Sequence, residues 1–298
     1  MPERPGQVSG PLVSSAWLRK RLRDPGVRVV DCRFRLGEPG AGEELWRAEH
    51  IPGAAFMDLD RELASEPGER GRHPLPDADA FQAAARRAGI GPDTLVVAYD
   101  EAAEGGAARL WWLLRHFGHE RAAVLDGGLR GWRAAGGPLA ADAERPAEGM
   151  FVARPRESDT RRAEELAGQP QAPRAERLLA REPEAPGAER LLLDARAPER
   201  YRGEVEPIDP VPGHIPGAVN LPFAELAPDG RFLAPDELRA RFEAAGAAPG
   251  RELVAYCGSG VTACVLLLAA EVAGVEPGRL YPGSWSEWSG RGLPAERH

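Results

Sequence analysis

The five residues His50-Ile51-Pro52-Gly53-Ala54 recur unchanged as residues 214–218. Three further blocks recur in the same chain order. They are an apolar run that ends in Asp (27–31 and 191–194), a run that ends in Ala-Tyr (95–99 and 253–256), and a glycine-containing turn that ends in Trp (126–132 and 282–288). The spacing between the copies is about 160 residues in all four blocks, which is far longer than the repeat of a solenoid. The sequence therefore predicts two copies of one domain.

Within each copy, short apolar runs alternate with amphipathic stretches. Runs of four or five apolar residues are typical of buried parallel strands, and the stretches between them follow the spacing of helices. Helices are predicted over residues 14–23, 77–88, 109–117, 235–245 and 261–272. This alternation predicts an α/β fold with two tandem domains, each a mostly parallel sheet covered by helices on both faces.

The predicted first domain covers residues 1–140 and the second covers residues 157–298. A linker is predicted at 141–156, because residues 140–155 are rich in Ala, Glu, Arg and Pro and show neither strand nor helix periodicity. A second proline-rich stretch, residues 169–189, is predicted to be a surface loop within the second domain.

Composition excludes several classes of function. The chain has 298 residues, 43% hydrophobic and 28% charged, which is ordinary for a globular protein. Its net charge of −8 argues against nucleic acid as a partner. The N-terminus lacks the apolar segment of a secretory signal, and the longest apolar run, residues 261–270, is about half of what a membrane span needs. We expect a cytoplasmic protein that uses neither nucleic acid nor a membrane as a partner.

The cysteines favour thiol chemistry over cross-linking or metal binding. There are three of them, and no Cys-x-x-Cys or Cys/His cluster indicates a zinc site. In a reducing compartment a functional cysteine acts as a thiol rather than as half of a disulfide. We therefore expect neither a metal nor another cofactor.

The two copies differ directly after the Ala-Tyr run. The first copy continues with Asp100, whereas the second continues with Cys257-Gly-Ser-Gly-Val-Thr-Ala263 and an apolar helix. Ligands of parallel α/β sheets bind at the carboxyl ends of the strands, where both residues fall. Glycines let successive backbone N–H groups turn inward, and the helix start adds partial positive charge. We predict that this field stabilises the thiolate of Cys257 and makes it a nucleophile.

Two alternatives apply to this cysteine. Free cysteines are often small core residues, and we assign that role to Cys32 and Cys264. A phosphatase also carries a cysteine in a loop after a strand, but its chemistry needs an arginine six positions later to clamp the phosphate. Ala263 stands at that position, which argues against a phosphatase.

The duplicated motifs and the single cysteine loop resemble those of two-domain rhodanese-family sulfurtransferases over nearly the whole chain. The loop itself is similar to that of 3-mercaptopyruvate sulfurtransferases. The resemblance implies that Cys257 takes a sulfur atom from a small donor and becomes a persulfide held by the N–H groups of the loop, namely Gly258, Ser259, Gly260, Val261 and Thr262. A thiol such as thioredoxin or a low-molecular-weight thiol, or cyanide in the test tube, then accepts the sulfur.

The resemblance also assigns the donor's carboxylate to Arg200, because this residue matches an arginine with that role in mercaptopyruvate enzymes. A guanidinium suits a carboxylate because the two form paired, charge-assisted hydrogen bonds. A surface or strand-capping role is the alternative, and we assign such roles to Arg196 and Arg202. The relatives carry a second carboxylate-binding arginine before His214, but residues 203–213 contain none. The donor therefore stays open between 3-mercaptopyruvate and thiosulfate.

Some mercaptopyruvate enzymes pair the loop serine with an Asp and a His from the first domain. The matching residues here are Ser259, Asp60 and His73, and such a group could move a proton or polarise the donor's carbonyl. The alternative for His73 is an ordinary loop histidine. We assign structural roles to His50 and His214, because His50 occurs in the copy that lacks the cysteine.

A different class of function also fits the duplication. Rhodanese-like domains could form a regulatory or binding module in which the cysteine is incidental. The first copy shows that the fold can persist with Asp100 in place of the cysteine. The Gly-Ser-Gly loop in the second copy favours the enzyme.

Overall fold

The computed structural model describes residues 8, 10–141, 146–167 and 190–297. Helices and strands alternate along this part of the chain as the sequence predicts. The strands are β1 (Leu12–Val13), β2 (Val27–Asp31), β3 (Ala55–Phe56), β4 (Leu95–Tyr99), β5 (Ala122–Leu125), β6 (Leu191–Asp194), β7 (Val219–Asn220), β8 (Leu253–Tyr256) and β9 (Arg279–Leu280). The helices are α1 (Ser15–Arg19), α2 (Ala41–Ala48), α3 (Ala78–Arg87), α4 (Gly106–His116), α5 (Gly128–Ala134), α6 (Ala163–Ala167), α7 (Pro198–Arg202), α8 (Phe223–Leu226), α9 (Pro235–Ala244), α10 (Ala263–Val272) and α11 (Ser284–Gly290). Short 3₁₀ turns lie at Glu157–Asp159 and Pro228–Gly230.

Five strands form the sheet of the first unit, in the order β1-β5-β4-β2-β3, and every pairing is parallel. The central strand β4 is buried along its whole length. This burial is expected, because the crossover helices of a parallel sheet pack on both of its faces. The core of this unit includes Val29, Val97 and Trp132.

Four strands form the sheet of the second unit, in the order β7-β6-β8-β9, again with parallel pairings only. Strands β6 and β8 are fully buried. Helix α10 is apolar on all sides and buried from Ala263 to Ala270, as expected of a helix inside a core. The α/β fold with two parallel sheets flanked by helices is confirmed.

A buried hydrogen-bond network explains why the strand motifs recur. In the first unit Asp31 accepts hydrogen bonds from Tyr99 Oη (2.7 Å) and from the guanidinium of Arg33, and Tyr99 Oη accepts one from the N–H of Ile51. Buried charges need such partners, because an unpaired carboxylate inside a protein is costly. The network therefore ties the ends of two strands to the His-Ile-Pro-Gly-Ala turn.

The second unit repeats this network. The guanidinium of Arg196 donates to Asp194 (2.6 Å) and to the carbonyl oxygen of Gly213, and the N–H of Ile215 donates to Tyr256 Oη. Arg196 is therefore a structural residue, as the sequence predicts.

The repeated histidines are turn residues. Nδ1 of His50 lies 2.7 Å from the carbonyl oxygen of Trp46, and Nδ1 of His214 lies 2.7 Å from that of Tyr201. Each imidazole also stacks on the aromatic ring of that residue. These contacts agree with the structural role that the repeat suggests.

Each unit contains one segment from the other half of the sequence. The first unit comprises residues up to Glu66, Leu75–Glu157 and Ala227–Leu233, and the second comprises Pro67–Pro74, Ser158–Leu226 and residues from Ala234 onward. No motif in the sequence pointed to this exchange. Within the second unit, the N–H of Arg72 donates to Ser286 Oγ at 3.0 Å. Residues of the first repeat thus contribute to the unit that contains Cys257.

The five predicted helices are present with small differences at their ends. Helix α1 ends at Arg19 and gives way to turns, whereas helix α4 begins three residues before the prediction, at Gly106. The predicted loop at 169–189 lies outside the described residues. The described part of 140–155 has no helix, and Phe151 within it is buried. The predicted domain boundaries stay predictions.

Candidate active site

Cys257 follows the carboxyl end of β8, and its loop leads into α10. The N–H of Gly260 donates a hydrogen bond to Cys257 Sγ at 3.1 Å. Gly260 has a φ of +77°, and a Cβ there would lie 2.5 Å from the carbonyl oxygen of Pro282. Because only glycine fits this conformation and this close approach, the glycine is what lets the amide reach the sulfur. A hydrogen bond to sulfur stabilises the thiolate, which is the nucleophilic form.

The start of α11 holds the cysteine loop from the other side. Ser284 Oγ accepts from the N–H of Cys257 (3.1 Å) and donates to the carbonyl oxygen of Tyr281 (2.9 Å). The N–H of Trp285 and that of Ser286 donate to the carbonyl oxygens of Cys257 and Gly258, respectively. The repeated turn at 282–288 therefore fixes the backbone of Cys257, and no motif in the sequence indicated this role for Ser284.

Ser284 adopts a backbone conformation that is unusual for its type. Its φ is +53°, and its side chain is fully buried. A residue with a Cβ pays roughly 1 kcal/mol or more in this left-handed region. The two hydrogen bonds of its hydroxyl offset that cost.

Asp100 occupies the equivalent place in the first unit, and its contacts show what this type of loop binds. Its carboxylate accepts hydrogen bonds from the N–H groups of Ala103 (2.8 Å), Gly105 (3.0 Å) and Ala107 (3.2 Å). Burial raises the pKa of Asp100, while these N–H groups counteract that effect. The loop and helix start thus gather backbone donors around one negative charge, which supports the prediction of an anion-binding loop in the second unit.

Arg200 lies on α7 and faces the cysteine loop. A Cβ on Gly258 would lie 3.6 Å from Nη1 of Arg200 and 3.2 Å from Nη2 of Arg72. The structure therefore brings two guanidinium groups, and not one, to the residue that follows Cys257. The sequence did not identify Arg72 as a site residue, because it belongs to Pro67–Pro74 and its position depends on tertiary packing.

Residues 203–213, which contain no arginine, contribute two acidic side chains beside Arg200. Glu206 accepts from Nη2 of Arg200 at 2.6 Å, and Asp209 lies between Nη1 of Arg72 (2.9 Å) and Nη2 of Arg200 (3.2 Å). Burial by itself raises the pKa of Glu206, but hydrogen bonds from Arg200 and from the N–H groups of Asp209 and Ile208 hold this pKa below its usual range. The carboxylates orient the arginines and partly neutralise them.

His73 and Ser259 meet directly. His73 Nδ1 lies 2.7 Å from Ser259 Oγ, and both side chains are buried. His73 is therefore more than an exposed loop histidine. Asp60 belongs to the first unit, where its N–H donates to Asp58 Oδ1, and its part in a relay stays a prediction.

The other two cysteines are packed in the interior. Cys32 and Cys264 are fully buried, and burial raises the pKa of the Cys32 thiol well above its usual value. Cys264 Sγ donates to the carbonyl oxygen of Gly260 at 3.4 Å, so it supports the cysteine loop. Both observations agree with the predicted packing roles.

Neither a metal centre nor a membrane-spanning helix is found in the described part of the chain. No group of three or more His, Cys, Asp or Glu side chains there is arranged to hold a metal ion. No helix among the same residues is long and apolar enough to cross a membrane.

Known proteins resemble this chain along nearly its full length. The family model described as a rhodanese-like domain matches residues 14–135 and 175–291. A probable 3-mercaptopyruvate sulfurtransferase from Pseudomonas aeruginosa is 44% identical over 94% of this chain and 95% of the relative. A putative thiosulfate sulfurtransferase from Mycobacterium tuberculosis is 42% identical over 95% and 94%, respectively. The solved 3-mercaptopyruvate sulfurtransferase from Leishmania major superposes with a TM-score of 0.78 at 29% identity, covering 98% of this chain and 76% of that one.

Proposed function

The chain belongs to the rhodanese family and is a sulfurtransferase, and from this premise we propose that Cys257 carries sulfane sulfur from 3-mercaptopyruvate to a thiol acceptor. The observation that carries the proposal is the hydrogen bond from the Gly260 N–H to Cys257 Sγ in a glycine loop next to Arg200. This arrangement combines a stabilised sulfur nucleophile with a cation for the donor's carboxylate.

In the first half-reaction the Cys257 thiolate attacks the sulfur of 3-mercaptopyruvate. An S–S bond forms, the C–S bond of the donor breaks, and its electron pair stays on carbon as the enolate of pyruvate. The enolate then takes up a proton and leaves as pyruvate. The pair of Ser259 and His73 lies beside the nucleophile and supplies this proton, with Asp60 as the proposed third member.

In the second half-reaction an acceptor thiolate attacks the outer sulfur of the Cys257 persulfide. The S–S bond breaks and its electron pair returns to Cys257 as thiolate, while the acceptor leaves as a new persulfide. The terminal sulfur of the enzyme's persulfide is anionic, and the N–H groups of residues 258–262 are its proposed donors. Backbone donors can hold one negative charge without trapping it.

Thiosulfate is the alternative donor, and one observation favours it. Glu206 and Asp209 occupy part of the hydrogen-bonding capacity of Arg200, which weakens the grip on a donor carboxylate. With thiosulfate the leaving group is sulfite, so no carbanion forms and no carbon has to be protonated. The comparison of kcat/KM for the two donors, at a fixed concentration of one thiol acceptor, decides between them.

The acceptor is proposed to be thioredoxin or a low-molecular-weight thiol. A persulfide-forming cysteine must be regenerated as a thiol in each cycle, so we propose a reducing, cytoplasmic setting. Three cysteines that are all free among the described residues support that setting.

Mass spectrometry after incubation with the donor tests the proposal. The wild-type chain gains one sulfur atom at Cys257, and Cys257→Ser gains none and transfers no sulfur to cyanide. Cys32→Ala is the matched control, because that cysteine is packed in the interior of the first unit, and this variant still forms the persulfide. Unmodified Cys257 after exposure to both donors would instead support a binding module.

A further inference from the structure

Ser286 lies in the repeated turn at 282–288, and the equivalent residue of the first copy, which lacks the cysteine, is Arg130. The two residues make the same backbone contact. The N–H of Ser286 donates to the carbonyl oxygen of Gly258 at 2.9 Å. The N–H of Arg130 donates to that of Glu101, the residue after Asp100, at 3.1 Å. Both copies fold with this contact, so the hydroxyl of Ser286 serves something beyond the shared fold.

Two hydrogen bonds define the orientation of the Ser286 hydroxyl. It donates to the carbonyl oxygen of Gly283 at 3.0 Å, and it accepts from the backbone N–H of Arg72 at 3.0 Å. A hydroxyl has one proton to donate and two lone pairs that accept. Because the carbonyl oxygen takes the proton, a lone pair of Oγ is left to hold the N–H of Arg72.

Pro67–Pro74, which belongs to the second unit, packs closely against this hydroxyl. Gly71 has a φ of +98°, and a Cβ there would lie 2.8 Å from Ser286 Oγ. Only glycine combines this backbone conformation with this approach. The packing against Ser286 therefore defines where the next two residues, Arg72 and His73, begin.

Ser286 is bonded to both backbone segments that carry the pair of His73 and Ser259. Its hydroxyl holds Arg72, the residue before His73. Its N–H holds Gly258, the residue before Ser259. The two side chains of the pair meet at 2.7 Å, and a hydrogen bond tolerates only small changes in distance and angle. Ser286 thus links the two segments on which this contact depends.

We propose that Ser286 is a positioning residue for sulfur transfer, and that its hydroxyl holds Pro67–Pro74 where His73 meets Ser259. This proposal rests on the proposed function, in which the pair supplies a proton to the carbanion that 3-mercaptopyruvate leaves behind. Ser286 acts through the geometry of the pair and takes no part in the proton transfer itself. With thiosulfate no carbanion forms, so the effect of Ser286 depends on the donor.

Ser286→Ala removes the hydroxyl and keeps the backbone contact with Gly258. We expect kcat with 3-mercaptopyruvate to fall roughly 10-fold, because a misplaced proton donor is costly, and kcat with thiosulfate to stay within about 2-fold. Ser286→Thr keeps a hydroxyl at this position and recovers most of the activity with 3-mercaptopyruvate. An equal loss with both donors would overturn the proposal, because the effect would then lie on Cys257.

Ser289→Ala is the matched control for the loss of a hydroxyl. Ser289 lies on the same helix, is buried, and donates to the carbonyl oxygen of Trp285 at 2.7 Å. Its substitution therefore also removes one hydrogen bond from α11, but it leaves the contact with Arg72 in place. This variant uses both donors at wild-type rates. A loss confined to 3-mercaptopyruvate in Ser289→Ala would contradict the specific role of Ser286.

A double-mutant cycle separates positioning from a general weakening of the fold. In a Ser259→Ala background the pair is already broken, so adding Ser286→Ala should change kcat with 3-mercaptopyruvate by less than about 2-fold. A further loss of roughly 10-fold in that background would show that Ser286 acts elsewhere and would overturn the proposal. Because both chains of this comparison lack the pair, it also decides the question if Ser286→Ala lowers the melting temperature.

Nuclear magnetic resonance keeps this proposal separate from the proposed function. In the full chain labelled with ¹⁵N-histidine, the shift of His73 Nδ1 reports the hydrogen bond to that atom, and His73→Gln identifies the signal. Ser286→Ala moves this shift toward its value in Ser259→Ala. An unchanged shift, in a wild type that uses 3-mercaptopyruvate, would refute the positioning role alone. A moved shift, in a wild type that forms no persulfide, would refute the proposed function alone.

Discussion

Nδ1 of His73 lies 2.7 Å from Oγ of Ser259, although 186 positions separate the two residues in the chain. A histidine at this distance can accept or return the hydroxyl proton. The proposed role of this pair is to supply a proton to the carbanion that 3-mercaptopyruvate leaves behind. Thiosulfate leaves no carbanion, so the pair would have no such role with that donor.

Ser259→Ala is therefore expected to lower kcat with 3-mercaptopyruvate by roughly 10- to 1,000-fold and to change kcat with thiosulfate little. His73→Gln should show the same difference between the donors, and Asp60→Asn should show it in weaker form if Asp60 completes the relay. Steady-state kinetics with both donors provide the measurement. An equal loss with the two donors would mean that the pair only shapes the loop.

Arg200→Ala is expected to raise KM for 3-mercaptopyruvate by roughly 10-fold or more, since a paired hydrogen bond to a carboxylate is lost. KM for thiosulfate should rise less, because that donor has no carboxylate. Arg202→Ala serves as the control from the same helix and leaves both values unchanged. An equal rise for the two donors would remove Arg200 from carboxylate binding.

Ser284 permits a prediction that separates backbone strain from hydrogen bonding. Both Ser284→Ala and Ser284→Gly leave the buried N–H of Cys257 without its acceptor, so both should unfold more easily and react more slowly with alkylating agents. Glycine tolerates the φ of +53°, whereas alanine keeps the strain. Urea unfolding should therefore rank Ser284→Ala below Ser284→Gly by about 1 kcal/mol. Equal stability of the two variants would contradict a strained backbone at this position.

Asp100→Ala tests the loop of the first unit. The substitution removes the acceptor of three N–H groups, two of them buried, so the free energy of unfolding should fall by about 2–4 kcal/mol. Asp100→Asn keeps the shape but turns one acceptor into a donor, so it should recover only part of the loss. Urea unfolding followed by circular dichroism measures both. A neutral Asp100→Ala would show that the carboxylate does not hold this loop.

Glu206 gives the stability a defined dependence on pH. Its pKa is held below the usual range in the folded state, so its contribution is present above the unfolded value of about 4.5 and disappears as pH falls through the folded pKa. Glu206→Gln should lower the free energy of unfolding at pH 7 by about 2 kcal/mol. The difference from the wild type should shrink as pH drops below about 4.5. A difference that stays constant down to pH 3 would exclude this charge effect.

The sequence predicts the parts of this site that lie in local motifs. The repeat identifies the strand end that bears Cys257, and the glycines that follow it predict backbone donors around the sulfur. The close approach of Gly260 to Pro282 depends on tertiary packing and is visible only in the structure. Arg200 and the pairing of His73 with Ser259 were reached only through the resemblance. Arg72 could not be predicted, because its position depends on how Pro67–Pro74 packs in the second unit. The lack of an arginine in residues 203–213 left the donor open, and only tertiary structure places another guanidinium beside Gly258.

Because Pro67–Pro74 belongs to the second unit, the second half of the chain is not a self-contained unit when it is separated from the first. A polypeptide that starts after the repeat boundary would keep its nucleophile yet lose an imidazole and a guanidinium that only the other half encodes. If His73 acts as proposed, the second half of the chain alone therefore lacks part of the catalytic group.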